Sequence, residues 1–366
     1  MMLKKSFFIG IILILATMTQ AQDIHYSLYQ FTPIDVNPAN AGSFSGSYRV
    51  NAIYSDKDPG FFEKRNNFRT VSVSVDAPII RGFRKQDWVG AGIKSDVFAR
   101  SGSYFESPGV LADRSLTNWT NYALTLAYHL SLDKKQTNIL TLGGQMNSGN
   151  IAFNSSANLG TRVQLLGLND LDVQQFVTLA QGDPGGADAT DRPMIRITNR
   201  DVNAGLLFNA KRKSSDLRIG FAVEGILRPN RSVNNATRIE RKYIGINFHG
   251  AYEVALNKRV NLTPGFYYYQ LGPANALNVN SHVSYLLDPE KTTRVSAGLG
   301  MRNLRDAMLF LGAEYKDFRF GFAYDYNLST KAIASGGLGG FELAVGYLGK
   351  IYRKPKVKPV IFCPSL

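Results

Sequence analysis

Residues able to do acid–base or metal chemistry are few in this chain, and they are not spaced for it. The four histidines, His25, His129, His249 and His282, form no H-x-x-x-H pair of the kind that binds a metal from one helix. His129, His249 and His282 alternate with larger apolar residues, which places them on the small and polar side of predicted strands. We therefore expect them to form hydrogen bonds inside a fold rather than to bind a metal or catalyse a reaction.

Charged side chains occur on the same side of the predicted strands. The inward-facing glutamates are Glu224, Glu253 and Glu342. We expect them to pair across the interior with one of three basic residues, Lys94, Arg218 or Arg319. The aspartate-rich stretch at 181–193 lacks the glutamate that a calcium loop carries at its twelfth position. The sequence therefore predicts no metal site, no cofactor and no enzymatic activity.

Composition narrows the partners that the chain can have. The 366 residues include 42 Lys and Arg against 28 Asp and Glu, a formal net charge of +14. Such a basic surface suits an anionic partner, either lipid head groups or a protein, whereas the chain carries no nucleic-acid-binding motif. Cys363 is the only cysteine, so an internal disulfide and a cysteine-based zinc site are both excluded.

The amino-terminal residues have the three parts of a secretory signal peptide. Lys4 and Lys5 form a basic region, 7–16 (FFIGIILILA) is a short apolar region, and 19–21 (TQA) is a small-residue cleavage site. The apolar region is shorter than the roughly 20 residues of a membrane-spanning helix, which argues against an anchor. We predict a signal peptide at 1–21 and export of the rest of the chain.

Most of the remaining chain alternates large apolar residues with small or polar ones. In 318–326 (FRFGFAYDY) every second residue is Phe or Tyr, and Arg, Gly, Ala and Asp stand between them. This two-residue period is that of a β-strand. It recurs at 71–76, 122–132, 202–210, 217–225, 294–302 and 341–347.

Two folds are compatible with such strands, and they differ in what the apolar side of each strand faces. A soluble periplasmic β-sandwich would place the apolar side in its core, whereas an outer-membrane barrel turns that side to lipid. The polar side carries mostly small residues rather than the Lys and Glu of a soluble surface. Aromatic residues also recur near strand ends, as membrane interfaces favour, at Tyr122, Tyr128, Tyr315 and Tyr347. Both features favour the barrel.

The lengths of the predicted strands and loops also favour an outer-membrane barrel. We count fourteen strand candidates, at 47–55, 68–76, 88–98, 119–131, 137–147, 200–210, 216–228, 240–254, 259–269, 275–286, 291–302, 306–315, 317–327 and 338–350. Connections after even-numbered strands are short and those after odd-numbered strands tend to be long, as in outer-membrane barrels. We predict an all-β fold, a transmembrane antiparallel β-barrel of about 14 strands over 47–350, with short periplasmic turns and long extracellular loops.

Three segments do not follow the strand pattern. The periplasmic segment 22–46 contains the Pro/Asn-rich stretch 31–43 (FTPIDVNPANAGS), which is either a flexible leader or an ordered plug or docking segment; its apolar residues favour order. The basic periplasmic tail 351–366 alternates Lys with Pro before an apolar group, Val360-Ile361-Phe362. The stretch 168–182 has helical spacing and could either cap the pore or pack on itself.

Several short motifs occur in the order found in one family. NPANAGSFSGSYRVNAIYSDKDPG (37–60), FAYDYNLST (322–330), GGFELAVGY (339–347) and the pair Cys363-Pro364 together resemble the PorP/SprF family of type IX secretion outer-membrane proteins. The likeness spans essentially the whole mature chain. It implies an outer-membrane barrel without enzymatic activity that serves type IX protein secretion, including the export of gliding-motility adhesins.

The resemblance also implies partners. They are the C-terminal signal domain of secreted cargo, a large surface adhesin, the translocon barrel and periplasmic ring lipoproteins, in addition to outer-membrane lipid. Our partner-docking candidates are Asn37, Pro38, Ala39, Gly42, Lys354, Lys356, Lys358, Cys363 and Pro364. The alternative function, from a different class, is an outer-membrane pore for small hydrophobic or polar solutes.

Overall fold

The structure is a computed structural model that describes most of the strand-forming chain. The described residues are 26–57, 67–81, 86–101, 117–153, 195–229, 241–272, 274–290, 292–328 and 339–351. The predicted signal peptide, the stretch with helical spacing at 168–182, the aspartate-rich stretch at 181–193 and the tail beyond Ile351 lie outside these residues.

Fourteen antiparallel strands close into a barrel in the described part of the chain. Each strand pairs with its sequence neighbours, and β1 pairs with β14 to seal the ring. The strands are β1 Tyr48–Lys57, β2 Asn67–Arg81, β3 Trp88–Ser101, β4 Thr117–Ser131, β5 Asn138–Phe153, β6 Ile195–Lys211, β7 Ser215–Glu224, β8 Gly245–Ala255, β9 Val260–Leu271, β10 Ala274–Asp288, β11 Thr293–Arg302, β12 Asp306–Tyr315, β13 Phe318–Asn327 and β14 Phe341–Gly349. The predicted all-β barrel of fourteen strands is confirmed.

The apolar side of each strand faces outward. In β2 the side chains of Val71, Val73 and Val75 are 41%, 41% and 37% exposed, whereas Ser72 and Ser74 between them are buried. A sandwich of two stacked sheets would bury these valines, so that alternative is wrong. Outward apolar residues with small and polar residues inside are the arrangement of a barrel that sits in lipid, where closure also leaves no unpaired strand edge.

Connection length differs between the two ends of the barrel. Connections after even-numbered strands have six residues or fewer: 82–87, 132–137, 212–214, 256–259, 289–292 and 316–317. Those after odd-numbered strands include all the longer ones: 58–66, 102–116, 154–194, 225–244 and 328–340. We call these the short-connection end and the long-connection end. The predicted segregation of connection lengths is confirmed.

The turn at 132–137 shows how local chemistry fixes a short connection. Asp133 accepts hydrogen bonds from the backbone N–H of Thr137 at 2.7 Å, from the Thr137 hydroxyl and from the Asn138 amide group at 2.9 Å. These hydrogen bonds, above all the one from the Thr137 hydroxyl, lower the pKa of the Asp133 carboxyl. The carboxylate thereby replaces partners that the chain loses where it reverses.

Some predicted strand boundaries are wrong, each for a visible reason. β5 ends at Phe153 rather than at 147, and β6 begins at Ile195 rather than at 200. Both strands are longer than predicted because their pairing with each other continues past the expected boundaries. β7 ends at Glu224 rather than at 228, because Gly225 takes a left-handed backbone with φ of 75°. Among the described residues, no helix is long and apolar enough to cross a membrane.

Candidate functional site

The amino-terminal segment 26–47 lies inside the barrel, and we call it the plug. It forms two 3₁₀ turns, Tyr29–Phe31 and Pro38–Asn40, with one α-helical turn, Pro33–Val36, between them. Proline stands at the first position of two of these turns, where a missing N–H costs nothing. The turns pack apolar plug residues into the lumen, so the segment is ordered and is a plug rather than a flexible leader.

The first residues of the plug are held near the long-connection end by buried charges. The backbone N–H groups of Ser27 and Leu28 donate to the two carboxylate oxygens of Glu342 at 2.9 and 2.8 Å. The Ser27 hydroxyl lies 2.6 Å from an oxygen of Asp325. Lys57 lies 2.7 Å from both carboxylates and so neutralises part of their charge. A buried carboxylate is tolerated only when it is paired in this way.

A second cluster binds the middle of the plug. Lys94 on β3 forms an ion pair with Asp35 of the plug and another, at 2.8 Å, with Asp96 two residues along its own strand. The ammonium group is therefore shared between the wall and the plug. Asp96 is further bound by the Ser72 hydroxyl at 2.6 Å.

These contacts correct the ion pairs expected from the sequence. Glu342 pairs with Lys57, not with Lys94, Arg218 or Arg319. Arg319 pairs with Glu314 on the neighbouring strand at 3.1 Å, and Arg218 donates to Asn209 at 3.1 Å. Glu253 accepts a hydrogen bond from Asn261 at 2.5 Å. The expectation is wrong for Glu342, which pairs with Lys57 of the wall, and for Lys94, because the sequence did not place the plug carboxylate of Asp35 in the lumen.

Asn37 joins the plug to three strands. Its amide nitrogen donates to the carbonyl oxygens of Leu206 and Phe221 at 2.8 and 3.2 Å, and its amide oxygen accepts from the N–H of Ala39 at 2.9 Å. The same nitrogen lies 3.3 Å from Nε2 of His249. The nitrogen and the oxygen of this buried amide both therefore form hydrogen bonds.

Glycines in the barrel wall let the plug backbone approach closely. A methyl group at Gly143 would overlap the backbone of Ala39, and one at Gly205 would overlap the side chain of Asn37. A methyl group at Gly90 would overlap the carbonyl group of Ala41. The wall and the plug are thus complementary in shape as well as in hydrogen bonding.

An ion pair at the start of the barrel clamps the end of the plug. Arg49 of β1 meets Asp76 of β2 through two hydrogen bonds, Nε to Oδ1 at 2.9 Å and Nη2 to Oδ2 at 2.7 Å. Asp76 also accepts from the N–H of Gly42 at 2.8 Å, and Arg49 also donates to the carbonyl oxygen of Asn40 at 3.0 Å. Trp88 donates from its indole nitrogen to the carbonyl oxygen of Gly42 at 3.1 Å.

The histidines point into the lumen, as the alternation predicted. His129 is fully buried; its Nε2 lies 2.8 Å from the carbonyl oxygen of Ala41 and its Nδ1 lies 2.9 Å from the Thr141 hydroxyl. Its ring stacks on Trp88 with centroids 4.6 Å apart. His282 packs against Phe310 at 4.8 Å. Within the described residues, no group of three or more His, Cys, Asp and Glu could hold a metal ion.

The structure gives a position to four of the nine docking candidates. Asn37, Pro38, Ala39 and Gly42 are buried between the plug and the wall, so a partner can reach them only if the plug moves. The other five, Lys354, Lys356, Lys358, Cys363 and Pro364, lie outside the described residues. Docking by either group stays a prediction.

The path of the plug differs from the periplasmic position expected for the segment 22–46. Ser27 lies beside Asp325 and Glu342, near the ends of β13 and β14 that lead to the long connection between them. Ser47 lies at the short-connection end, where its N–H donates to the carbonyl oxygen of Gly349 at 2.8 Å. The described part of the segment therefore crosses the lumen from one end to the other.

The described residues line a cavity on each side of the plug. At the short-connection end a cavity of about 830 Å³, which we call the cup, is lined by residues that include Phe44, Ser45, Trp88, Ile139, Asn209 and Arg218. Toward the long-connection end a smaller cavity of about 110 Å³ is lined by residues that include Tyr29, Asp35, Lys94, Asp96, Asp201 and Lys242. Sequence reasoning missed both, although the inward position of Asp96 and Asp201 follows from the strand alternation.

These features define an outer-membrane β-barrel with an internal plug. The family model described as "Type IX secretion system membrane protein PorP/SprF" matches residues 18–347 of the chain. The protein belongs to the PorP/SprF family, as its motifs predicted, and its location is the outer membrane. A comparison with curated proteins gave no match.

Solved structures share the barrel architecture. The Pseudomonas putida toluene transporter TodX is 9% identical with a TM-score of 0.50, over 87% of this chain and 93% of that one. The Ralstonia pickettii toluene transporter TbuX is 11% identical with a TM-score of 0.49, over 87% and 93%. A Pseudomonas aeruginosa FadL homologue is 12% identical with a TM-score of 0.43, over 85% and 92%. At these identities the likeness to TodX shows the fold alone.

Proposed function

We propose that the protein is a non-enzymatic docking component of type IX secretion. It would hold secreted cargo, a surface adhesin or secretion machinery at the ends of the barrel rather than pass a substrate through its lumen. The observation that carries this proposal is the plug, which is bound to wall residues along the lumen by backbone hydrogen bonds from Ser27 and Gly42 to buried carboxylates and by the ion pair of Asp35 with Lys94. Family membership supplies the secretion context.

The proposed partners follow from the chemistry of the two ends. The described chain leaves the barrel at Ile351, and the basic residues Lys354, Lys356 and Lys358 come directly after it. A run of cations on the periplasmic side suits an acidic face of a periplasmic ring lipoprotein or of a cargo signal domain. The long connections, on the opposite side, suit a large adhesin such as one exported for gliding.

The rival function is a pore for small hydrophobic or polar solutes. The fold likeness to TodX, a toluene transporter, is the observation in its favour. Against it stand the hydrogen bonds and the Asp35–Lys94 ion pair that bind the plug to several strands, because a conducting pore would require these contacts to be broken or bypassed. We expect the purified protein to be silent in planar lipid bilayers, and a conducting protein would favour the pore.

Co-purification tests the docking role most directly. An affinity tag placed in the connection 154–194 keeps both the plug and the tail free. We expect solubilised outer membranes to yield secretion components or one large adhesin. A matched variant with Lys354, Lys356 and Lys358 changed to Ser should lose the periplasmic partners and keep those bound at the long connections. Recovery of the barrel alone from both proteins would contradict the docking role.

A further inference from the structure

Three neighbouring turns at the short-connection end each carry two basic residues. The turns are 132–137 between β4 and β5, 212–214 between β6 and β7, and 256–259 between β8 and β9. All six basic residues are exposed, and we call them the basic arc: Lys134, Lys135, Arg212, Lys213, Lys258 and Arg259.

Backbone hydrogen bonds join the three turns to one another. The N–H of Lys211 donates to the carbonyl oxygen of Thr137 at 2.7 Å, which ties the first turn to the second. The N–H of Ala255 donates to the carbonyl oxygen of Ser214 at 2.9 Å, which ties the second turn to the third. The basic arc is therefore one continuous part of the barrel rim and not a set of separate loops.

The acidic residues near the basic arc have other positions or partners. Asp133 accepts hydrogen bonds from Thr137 and Asn138 within its own turn. Asp216 lines the cup, and Glu253 lies on the lumen side of β8, where it accepts from Asn261. Among the described residues, no ion pair includes a member of the basic arc. Its cations are therefore open to a partner.

The excess of cations is confined to one part of the rim. Further round the ring, the connection after β10 carries Glu290, and in the turn 316–317 Lys316 is followed by Asp317, which pairs with Lys350 at 3.0 Å. The basic arc spans the ends of β4 to β9, six of the fourteen strands. It is thus a local feature of the rim and not a general property of a basic chain.

The apolar outer surface of the barrel reaches the base of these turns. Leu132 and Leu256 begin two of them, are 54% and 59% exposed, and continue the outward rows of β4 and β8. Lys134 and Lys258 each follow one of these leucines by two residues. Residues just beyond the apolar band of a membrane barrel lie at the level of the lipid head groups. The basic arc therefore lies where head-group phosphates are found.

We propose that the basic arc binds the phosphate groups of anionic phospholipids in the leaflet at the short-connection end. The cations attract the anionic head groups, while Leu132 and Leu256 contact the acyl chains directly below them. An acidic protein would use the charge of the arc but not this apolar border. Bound lipid of one charge class would hold the β4–β9 side of the rim at the membrane surface.

Native mass spectrometry of the purified, detergent-solubilised protein tests this lipid site. The probes are phosphatidylglycerol, which is anionic, and phosphatidylcholine with the same acyl chains, which is zwitterionic. We expect the first phosphatidylglycerol to bind about tenfold more tightly than phosphatidylcholine. The double variant Lys213→Gln with Lys258→Gln removes two cations that form no contact with other described side chains. It should weaken phosphatidylglycerol binding about fivefold and leave phosphatidylcholine binding unchanged.

Two matched variants separate a local site from the net charge. Lys213→Arg with Lys258→Arg keeps both charges and should retain the preference for phosphatidylglycerol. Arg200→Gln with Arg241→Gln removes two exposed charges at the long-connection end and should leave the preference unchanged. Heat-modifiable mobility on a gel shows that each variant is folded.

Three results would overturn the proposal. They are equal affinity for the two lipids, an equal loss in the two glutamine variants, and tight binding of poly-glutamate without a preference for phosphatidylglycerol. The last result would assign the basic arc to an acidic protein. The assay contains no secretion partner, so its outcome is independent of the docking role proposed above.

Discussion

Arg49 and Asp76 face each other inside the barrel as a two-hydrogen-bond ion pair, and each also binds the plug backbone. Their side chains are 8% and 0% exposed. Arg49→Met leaves the Asp76 carboxylate buried without its cation, which costs about 3–5 kcal/mol of stability when one partner of a buried pair is removed. Urea unfolding in lipid vesicles, followed by the gel mobility of unheated samples, measures the loss.

Two controls accompany this prediction. The double variant Arg49→Met with Asp76→Asn removes both charges and should be more stable than Arg49→Met alone. Asp317→Asn breaks the exposed pair with Lys350 and should change stability by less than about 1 kcal/mol. Equal losses in all three variants would show that the buried pair has no special role.

Two adjacent glycines of β5 should respond differently to the same added methyl group. Gly143→Ala places a carbon atom 2.6 Å from the Cα of Ala39 in the plug, whereas Gly144→Ala meets nothing within 4 Å. Overpacking of this kind costs about 1–3 kcal/mol, and the plug is the part that can move. We expect conductance in planar bilayers from Gly143→Ala only. Silence of both variants, with equal protease resistance of the plug, would count against a tightly seated plug.

The amide of Asn37 should not be replaceable by a carboxylate. Its nitrogen donates to the carbonyl oxygens of Leu206 and Phe221, and Asn37→Asp would turn a negative oxygen toward these two acceptors. The two carbonyl oxygens would lose their donor and be repelled by the carboxylate, which lowers the stability of the bound plug by about 2 kcal/mol or more. Limited proteolysis of the plug should therefore be faster. Asn150→Asp is the matched control, because the Asn150 side chain accepts from Thr198 and can go on doing so.

Arginine should be tolerated on one side of β10 and not on the other. Val283 is exposed on the apolar side of the strand, and Ser284 next to it faces the lumen. An arginine on the lipid side near the middle of the bilayer costs about 2–4 kcal/mol, so Val283→Arg should fold poorly into vesicles. Ser284→Arg is expected to fold at nearly the original yield. The fraction of heat-modifiable protein on a gel reports both outcomes.

The barrel could be predicted because the two-residue alternation that identifies its strands is a local property of the sequence. The alternation from Phe318 to Tyr326 assigns each residue of β13 to a side, and a two-residue period needs no knowledge of distant contacts. Connection lengths then gave the pairing order. The errors at β5 and β7 arose at ends, where a strand continues or stops because of its partner or of one glycine, Gly225.

The plug could not be predicted in the same way. The stretch 31–43 has no period, and its prolines and apolar residues only favoured an ordered segment. Its position depends on contacts with residues far along the chain, such as Asp35 with Lys94 and Asn37 with Leu206. No spacing in a single sequence encodes which acid meets which base across a lumen, so the pairs proposed for Glu342 and Lys94 were wrong.

Ser27 and Ile351 lie at opposite ends of the barrel, although β1 begins and β14 ends at the same one. The plug therefore adds one more crossing of the bilayer, which runs through the barrel interior instead of lipid. An even number of strands alone would leave both ends of the chain on the same side of the membrane, and the plug places them on opposite sides. The two ends of the described chain therefore lie toward different cellular compartments, with Ser27 buried at one end and Ile351 exposed at the other.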